Sequence, residues 1–288
     1  AMVPALVARE VLTASYATMQ VIDQVGMVAG PALGGVMIAA FGLPWLYAID
    51  GLTFLWAAAF LARIADAPVS RRERGGGLRS VADGFRYLRG CQVLQGAYLV
   101  DICATVFGLP RALFPALSRT VFHGGPSTLG LLYAAPAAGA LAGSLISGWM
   151  NGIRRQGRAV LVAVIVWGAA IIAFGFVTTL LVALVLLVIA GWADVVSAVL
   201  RSTIIQSVVH DEYRSRISGL QMAVVEGGPR LGDIESGAVA SAVSPQFSVV
   251  SGGLLCVAGA VAVAVLLPGF RRYEQGRDAR DYRAADAG

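Results

Sequence analysis

The residues of this sequence best placed to do chemistry are ionisable and amide side chains set inside long apolar runs: Gln20, Asp23, Gln24, Asp101, Asp194, Arg201, Glu226, Arg230, Asp233 and Glu235. A charge at membrane depth costs at least about 2.5–3.5 kcal/mol, so each one needs a partner, a wet cavity or a task such as holding a proton or a polar ligand. Gln20, Asp23 and Gln24 share one helical face, and Asp23 lies on the arc of Gly26, Gly30 and Gly34, which turns it toward neighbouring helices. Asp101 and Arg111 are about 15 Å apart along a helix, and Asp194 and Arg201 about 10 Å, too far for direct pairing in either case. Charge balance makes Asp101 with Arg201 a plausible pair across two helices. Glu226, Arg230 and Asp233 fall within about 60° of arc at i,i+4 and i,i+3 spacings that permit pairing, while Glu235 points roughly opposite. Pro229 sits among them and removes a backbone hydrogen bond, so a bent or broken helix there would expose carbonyls to a wet cavity. Arg230 and Asp233 are the preferred candidates; plain mutual neutralisation of the cluster is the competing account.

Other chemistries are excluded. All 22 basic residues are Arg, so neither a GxxxxGK phosphate loop nor a Schiff-base lysine is available. Cys91, Cys103 and Cys256 are too scattered for a disulfide or metal set, and His123 and His210 cannot build a zinc cluster alone. With no HExxH or GxSxG motif, an enzyme is not expected. No metal and no cofactor is expected either.

These side chains must be positioned by membrane helices. Of the 288 residues, 57% are hydrophobic and 14% charged, with a mean hydropathy of +0.74, against about 45–50% and 25% in soluble domains. The formal charge of +5 comes from clusters rather than a basic surface, so no nucleic-acid partner is expected. The apolar runs predict eight passes, near 14–41, 44–62, 93–117, 128–150, 159–177, 180–206, 217–243 and 247–267. Alternate joints carry Arg9; Arg71, Arg72, Arg74, Arg79, Arg86 and Arg89; Arg154, Arg155 and Arg158; Arg214 and Arg216; and Arg271, Arg272, Arg277, Arg280 and Arg283, whereas the other joints hold only Arg119. The positive-inside rule then places both ends of this chain in the cytoplasm. The expected divisions are a lead-in over 1–13, two helices over 14–63, a cytoplasmic loop over 64–92 with Gly75, Gly76 and Gly77 and an amphipathic stretch from Leu78 to Leu88, six helices over 93–270, and a tail over 271–288.

Gly30-Pro31-Ala32-Leu33-Gly34 in the first pass matches Gly228-Pro229-Arg230-Leu231-Gly232 in the seventh, and Pro44 and Gly51 of the second match Pro245 and Gly252 of the eighth. The last pair of passes therefore reads as a copy of the first pair, a plan found among transporters built from related halves. If the last six passes form one half, four helices of the other half are expected upstream of Ala1; Glu10 and the lack of a basic start argue against a signal peptide.

The stretch Gly26-Met27-Val28-Ala29-Gly30-Pro31-Ala32-Leu33-Gly34-Gly35 resembles the gxxxGPxxGG antiporter motif of the major facilitator superfamily. Gly148-Trp149-Met150-Asn151 followed by Arg154-Arg155-Gln156-Gly157-Arg158 is similar to the second copy of that superfamily's GxLaDRxGRR loop, with two residues inserted and Asn151 where Asp is usual. Tyr133-Ala134-Ala135-Pro136, Ser197-Ala198-Val199-Leu200-Arg201-Ser202-Thr203, and Ser218-Gly219-Leu220 followed by Gly227-Gly228-Pro229-Arg230-Leu231-Gly232 resemble the enterobactin-exporter-like branch of bacterial efflux permeases, which usually has Arg where Met27 stands. The resemblance implies an all-α polytopic bundle holding helices five to twelve of a twelve-helix (6+6) fold in the bacterial inner membrane. It also implies proton-coupled export of a small drug-like or siderophore-like molecule, with a full-length version acting as a monomer. Gly26, Gly30, Pro31, Gly34 and Gly35, like Gly139 and Gly143, read as helix-packing positions, since small residues let helices approach. A non-transporting scaffold or partner subunit is the alternative, and a membrane-embedded enzyme a weaker one.

Overall fold

The computed structural model describes residues 26, 29–31, 33–61, 87–88, 90–108, 110–145, 150, 152–209 and 213–274. Gln20, Asp23 and Gln24 lie outside these residues, as do Met27, Val28, Ala32, Gly148, Trp149, Asn151, His210, the lead-in, most of the 64–92 loop and most of the tail. All described elements are helical. They are α1 (Ala29–Phe41), α2 (Leu43–Leu61), α3 (Gln92–Phe107), a 3-10 turn (Arg111–Leu113), α4 (Phe114–Thr120), α5 (Pro126–Leu145), α6 (Gln156–Phe176), α7 (Leu180–Val208), α8 (Arg214–Ala242), α9 (Pro245–Leu266) and α10 (Pro268–Arg272).

Six segments among the described residues are long and apolar enough to cross a membrane: Leu43–Phe60, Gln92–Thr120, Pro126–Leu145, Gln156–Phe176, Leu180–Val208 and Pro245–Leu266. Two of the eight expected passes do not meet that mark. Only Ala29–Phe41 of the first is apolar helix within the described residues. α8 is 29 residues long, roughly 43 Å at 1.5 Å per residue, but Glu226, Arg230, Asp233 and Glu235 keep it too polar to pass on apolarity alone.

Local sequence explains the breaks. Gly42, at φ 82°, closes α1 with its N–H on Ile38 O at 3.0 Å, a left-handed cap that glycine adopts without steric penalty. Pro44 and Pro245 occupy first-turn positions where a missing N–H costs nothing, and Ser244 caps α9 by accepting the Phe247 N–H at 3.2 Å. The third pass, expected as one helix, is interrupted: α3 ends at Phe107 and Gly108 closes it. Pro110 cannot continue the helix and disfavours helical geometry in the residue before it. At Pro229 the break that sequence allowed does not occur. α8 runs without interruption from Arg214 to Ala242.

α7 lies between α5 and α6, α9 packs on α6 and α3, and α8 packs on α3 and α9; α3 also reaches α7. The tightest approaches are glycine contacts. A β-carbon at Gly191 would collide with the Pro136 carbonyl and one at Gly139 with the Val188 carbonyl, so α5 and α7 meet backbone to backbone. Gly143 faces Trp192 in the same seam, as expected. In the motif of α1 only part of the expected packing is present. A β-carbon at Gly35 would stand 2.7 Å from Pro126 O and 2.9 Å from Gly130 Cα, and one at Gly130 would stand 2.5 Å from Pro31 O, so Pro31 and Gly35 bind α1 to α5. Gly26, Gly30 and Gly34 instead face open space among the described residues.

α10 is the hub of the basic end. Phe270 and Tyr273 are fully buried, the Phe270 ring covers Gly96 of α3 and its carbonyl covers Gly157 of α6, and the Tyr273 and Ser207 hydroxyls share a 2.6 Å hydrogen bond. Arg155 pairs with Glu274 at 3.1 Å, and Tyr87 stacks on Tyr213 at 4.4 Å. The second Arg-containing motif thus joins α6 to the chain's last described turn.

Candidate functional site

Among the candidates, Asp101 and Arg201 meet where α3 touches α7, and Asp194 lies on a recess formed with α5 and α6. The sequence turns Asp101 of α3 and Arg201 of α7 inward on helices that touch, and the structure joins them: Arg201 Nη2 lies 2.7 Å from Asp101 Oδ1, with side chains 9% and 4% exposed. Arg201 also donates from Nη1 to Ser197 Oγ at 2.8 Å. One helical turn before Asp101, Tyr98 donates its hydroxyl to Ile217 O of α8 at 3.1 Å. The cross-helix pair expected from charge balance is therefore present. A buried pair of this kind is weak support for stability, because desolvation consumes most of the Coulomb gain.

Beyond it lies a cavity of about 200 Å³. Pro110, Arg111 and Phe114 line it at the interruption after α3; Pro136, Ala137 and Ala140 line it from α5, Trp167 and Ile171 from α6, and Leu187, Ala190, Gly191, Asp194 and Val195 from α7. The interruption turns Arg111 into this space, which a continuous helix on the α3 axis has no need to do. Phe114 is held by edge-on contacts with Tyr133 at 5.2 Å and Phe174 at 6.2 Å, and Tyr133 donates to Arg111 O at 3.2 Å. The recess wall thus carries Arg111 and Asp194, and Arg201 lies about two turns beyond Asp194 on α7 in its closed pair with Asp101. In chemical terms it offers one cation and one anion in an otherwise apolar, aromatic-walled recess, backed by a closed ion pair.

Glu226, Arg230 and Asp233 are not brought together. All three are exposed on α8, and among the described residues they form no ion pair, so the expected mutual neutralisation is absent. Spacing on one helix permits contact but does not enforce it, since an exposed pair gains under about 1 kcal/mol. Glu235 is half-buried on the other side, next to buried Ser236, whose carbonyl accepts the Ser248 hydroxyl at 2.9 Å. Sequence reasoning left Arg111 and Tyr133 out of the candidate set; Arg111 was visible as a lone cation in an apolar run. Among the described residues no cluster of His, Cys, Asp and Glu is arranged to hold a metal.

A bundle of membrane-length helices around a charged internal recess defines a polytopic helical membrane protein. More particularly, the chain belongs to the transmembrane secretion effector family (MFS_3), which matches residues 1–282, and the resemblance to the major facilitator superfamily holds. It is 31% identical over 273 residues to an enterobactin exporter, EntS, of Citrobacter koseri, across 94% of this chain and 65% of that protein. It is 30% identical over 274 residues to the enterobactin exporter EntS of Escherichia coli O157:H7, across 94% and 65%, and 27% identical to that of Salmonella paratyphi A, across 94% and 66%. The chain thus spans slightly less than two-thirds of the length of these relatives.

Proposed function

We propose that this chain forms the larger part of a secondary transporter of the bacterial inner membrane that exports a small siderophore-like or drug-like molecule by alternating access, driven by proton entry. The observation that carries this is the recess with Arg111 and Asp194 on its wall and the Asp101–Arg201 pair behind it. Its volume of about 200 Å³ is below the 300–1,000 Å³ of sites for drug-sized ligands. It therefore serves as one wall of a larger site, completed by further helices facing the exposed side of α8. That accords with a twelve-helix fold of which this chain holds eight: two helices over 14–63, a cytoplasmic loop over 64–92, a six-helix half over 93–270 and a cytoplasmic tail.

In this mechanism Asp194 is the exchangeable proton site and Arg111 the contact for a substrate's acidic or oxygen-rich group. The Asp101–Arg201 pair holds α3 against α7 while the recess opens and closes. Arg230, Asp233 and Glu226, exposed on α8, are candidates for the part of the site that the recess does not include; Asp23, Gln20 and Gln24 are the candidates from the first pass. Glu235, turned to the other side of α8, is a structural member. The test is substrate-driven proton flux in reconstituted vesicles, for this chain and for a version extended to the length of the relatives. The expected result is flux that Asp194→Asn abolishes and that Asp194→Glu partly retains. A lack of flux in both lengths would favour the non-transporting scaffold, a reading supported by the fully exposed α2.

A further inference from the structure

An open cleft of about 420 Å³ lies at the basic end, lined by Arg158, Leu161 and Val162 of α6 and Arg271 of α10. We propose that this cleft binds the phosphate headgroup of an anionic phospholipid, with one acyl chain lying along α6. Three positive features converge there. Arg158 stands in the first turn of the 21-residue α6, where the helix dipole is itself positive and disfavours a cation. Arg271 approaches from the α10 side, and its Nε is buried without an acceptor among the described residues. The nearby acidic group, Glu274, is already engaged by Arg155 at 3.1 Å, and neither Arg158 nor Arg271 forms an ion pair among the described residues.

Two like charges on a positive helix end are held together only at a cost, which an anion bound between them removes. Arginine suits a phosphate because its planar fork reaches two oxygens at once. The lipid source follows from the surroundings. Val162 is 60% exposed and stands about 6 Å further along the helix than Arg158, so the cleft continues into an apolar, outward-facing strip where an acyl chain fits and a free anion gains nothing. A lipid in this position would bridge the start of α6 to α10, the turn that already carries buried Phe270 and Tyr273.

The test is native mass spectrometry of the detergent-purified chain equilibrated with equal amounts of phosphatidylglycerol and phosphatidylcholine. The expected result is a several-fold excess of retained phosphatidylglycerol that falls to parity in Arg158→Gln/Arg271→Gln. Arg158→Lys/Arg271→Lys should keep part of it, and Arg119→Gln at the other end should keep all of it. Equal retention by the wild type, or a full preference in the double Gln variant, overturns the proposal. So does displacement of the lipid by millimolar inorganic phosphate, which would mark a soluble-anion site, or by an acidic peptide, which would mark a protein contact. If the double Gln variant does not fold, thermal melting of the wild type decides: stabilisation by phosphatidylglycerol beyond phosphatidylcholine supports the site, and equal melting overturns it.

Discussion

At the scale of the residue, the Asp101–Arg201 pair concentrates the risk in this fold. Removing one partner leaves a buried charge with no counterion, which costs about 3–5 kcal/mol. Arg201→Ala should therefore lower the thermal stability of the purified chain sharply, while Asp101→Leu/Arg201→Met should recover most of it. If Arg201→Ala melts like the wild type, the pair is not closed in the membrane. The pairing was legible as one match by charge balance among Asp101, Arg111, Asp194 and Arg201, since same-helix spacing leaves each needing a partner on another helix. The recess was not. Its walls come from four separate segments, and no single-helix periodicity says which faces meet. Arg111 enters it only because the helix stops at Gly108, a break hidden within a run whose apolar character continues through Ala112, Leu113 and Phe114.

At the scale of the element, glycine decides how closely helices lie. Gly191 sits against the Pro136 carbonyl of α5, whereas Gly219 of α8 has open space around it. Gly191→Val should push α7 from α5 at a cost of about 1–3 kcal/mol, as overpacking does, and should narrow the recess that both helices line. Gly219→Ala should be neutral or gain up to about 1 kcal/mol of helix propensity. Paired melting curves check the contrast, and equal shifts would contradict the seam. Helix boundaries were legible to within a few residues because apolarity and proline or glycine punctuation set them; α9 was expected over 247–267 and is found at Pro245–Leu266. Proline alone does not set these boundaries. Pro229 is carried inside a helix, while Pro110, with Gly108 beside it, interrupts one, so the neighbouring residues rather than the proline alone decide the outcome.

At the scale of the whole molecule, α2 stands apart. No part of it is buried, and Asp50 lies exposed near its middle with no side-chain partner among the described residues. Asp50→Leu should improve membrane insertion of this helix by about 2.5–3.5 kcal/mol on insertion scales, measured by glycosylation mapping of the segment. No change would mean that Asp50 is covered once the protein is assembled. The short joints have a further consequence. Away from the basic end, α1 meets α2 through Gly42 alone, α6 meets α7 through 177–179 and α8 meets α9 through 243–244. From that aqueous side the described protein shows little beyond the 121–125 turn and the exposed Arg119. To a protease that cannot cross the bilayer, the described residues therefore offer few joints on one side and more on the arginine-rich side. Trypsin added to sealed vesicles should cut it readily only where the arginine-rich joints face outward. Equal cleavage in vesicles of both orientations would contradict the topology that the positive-inside rule predicts.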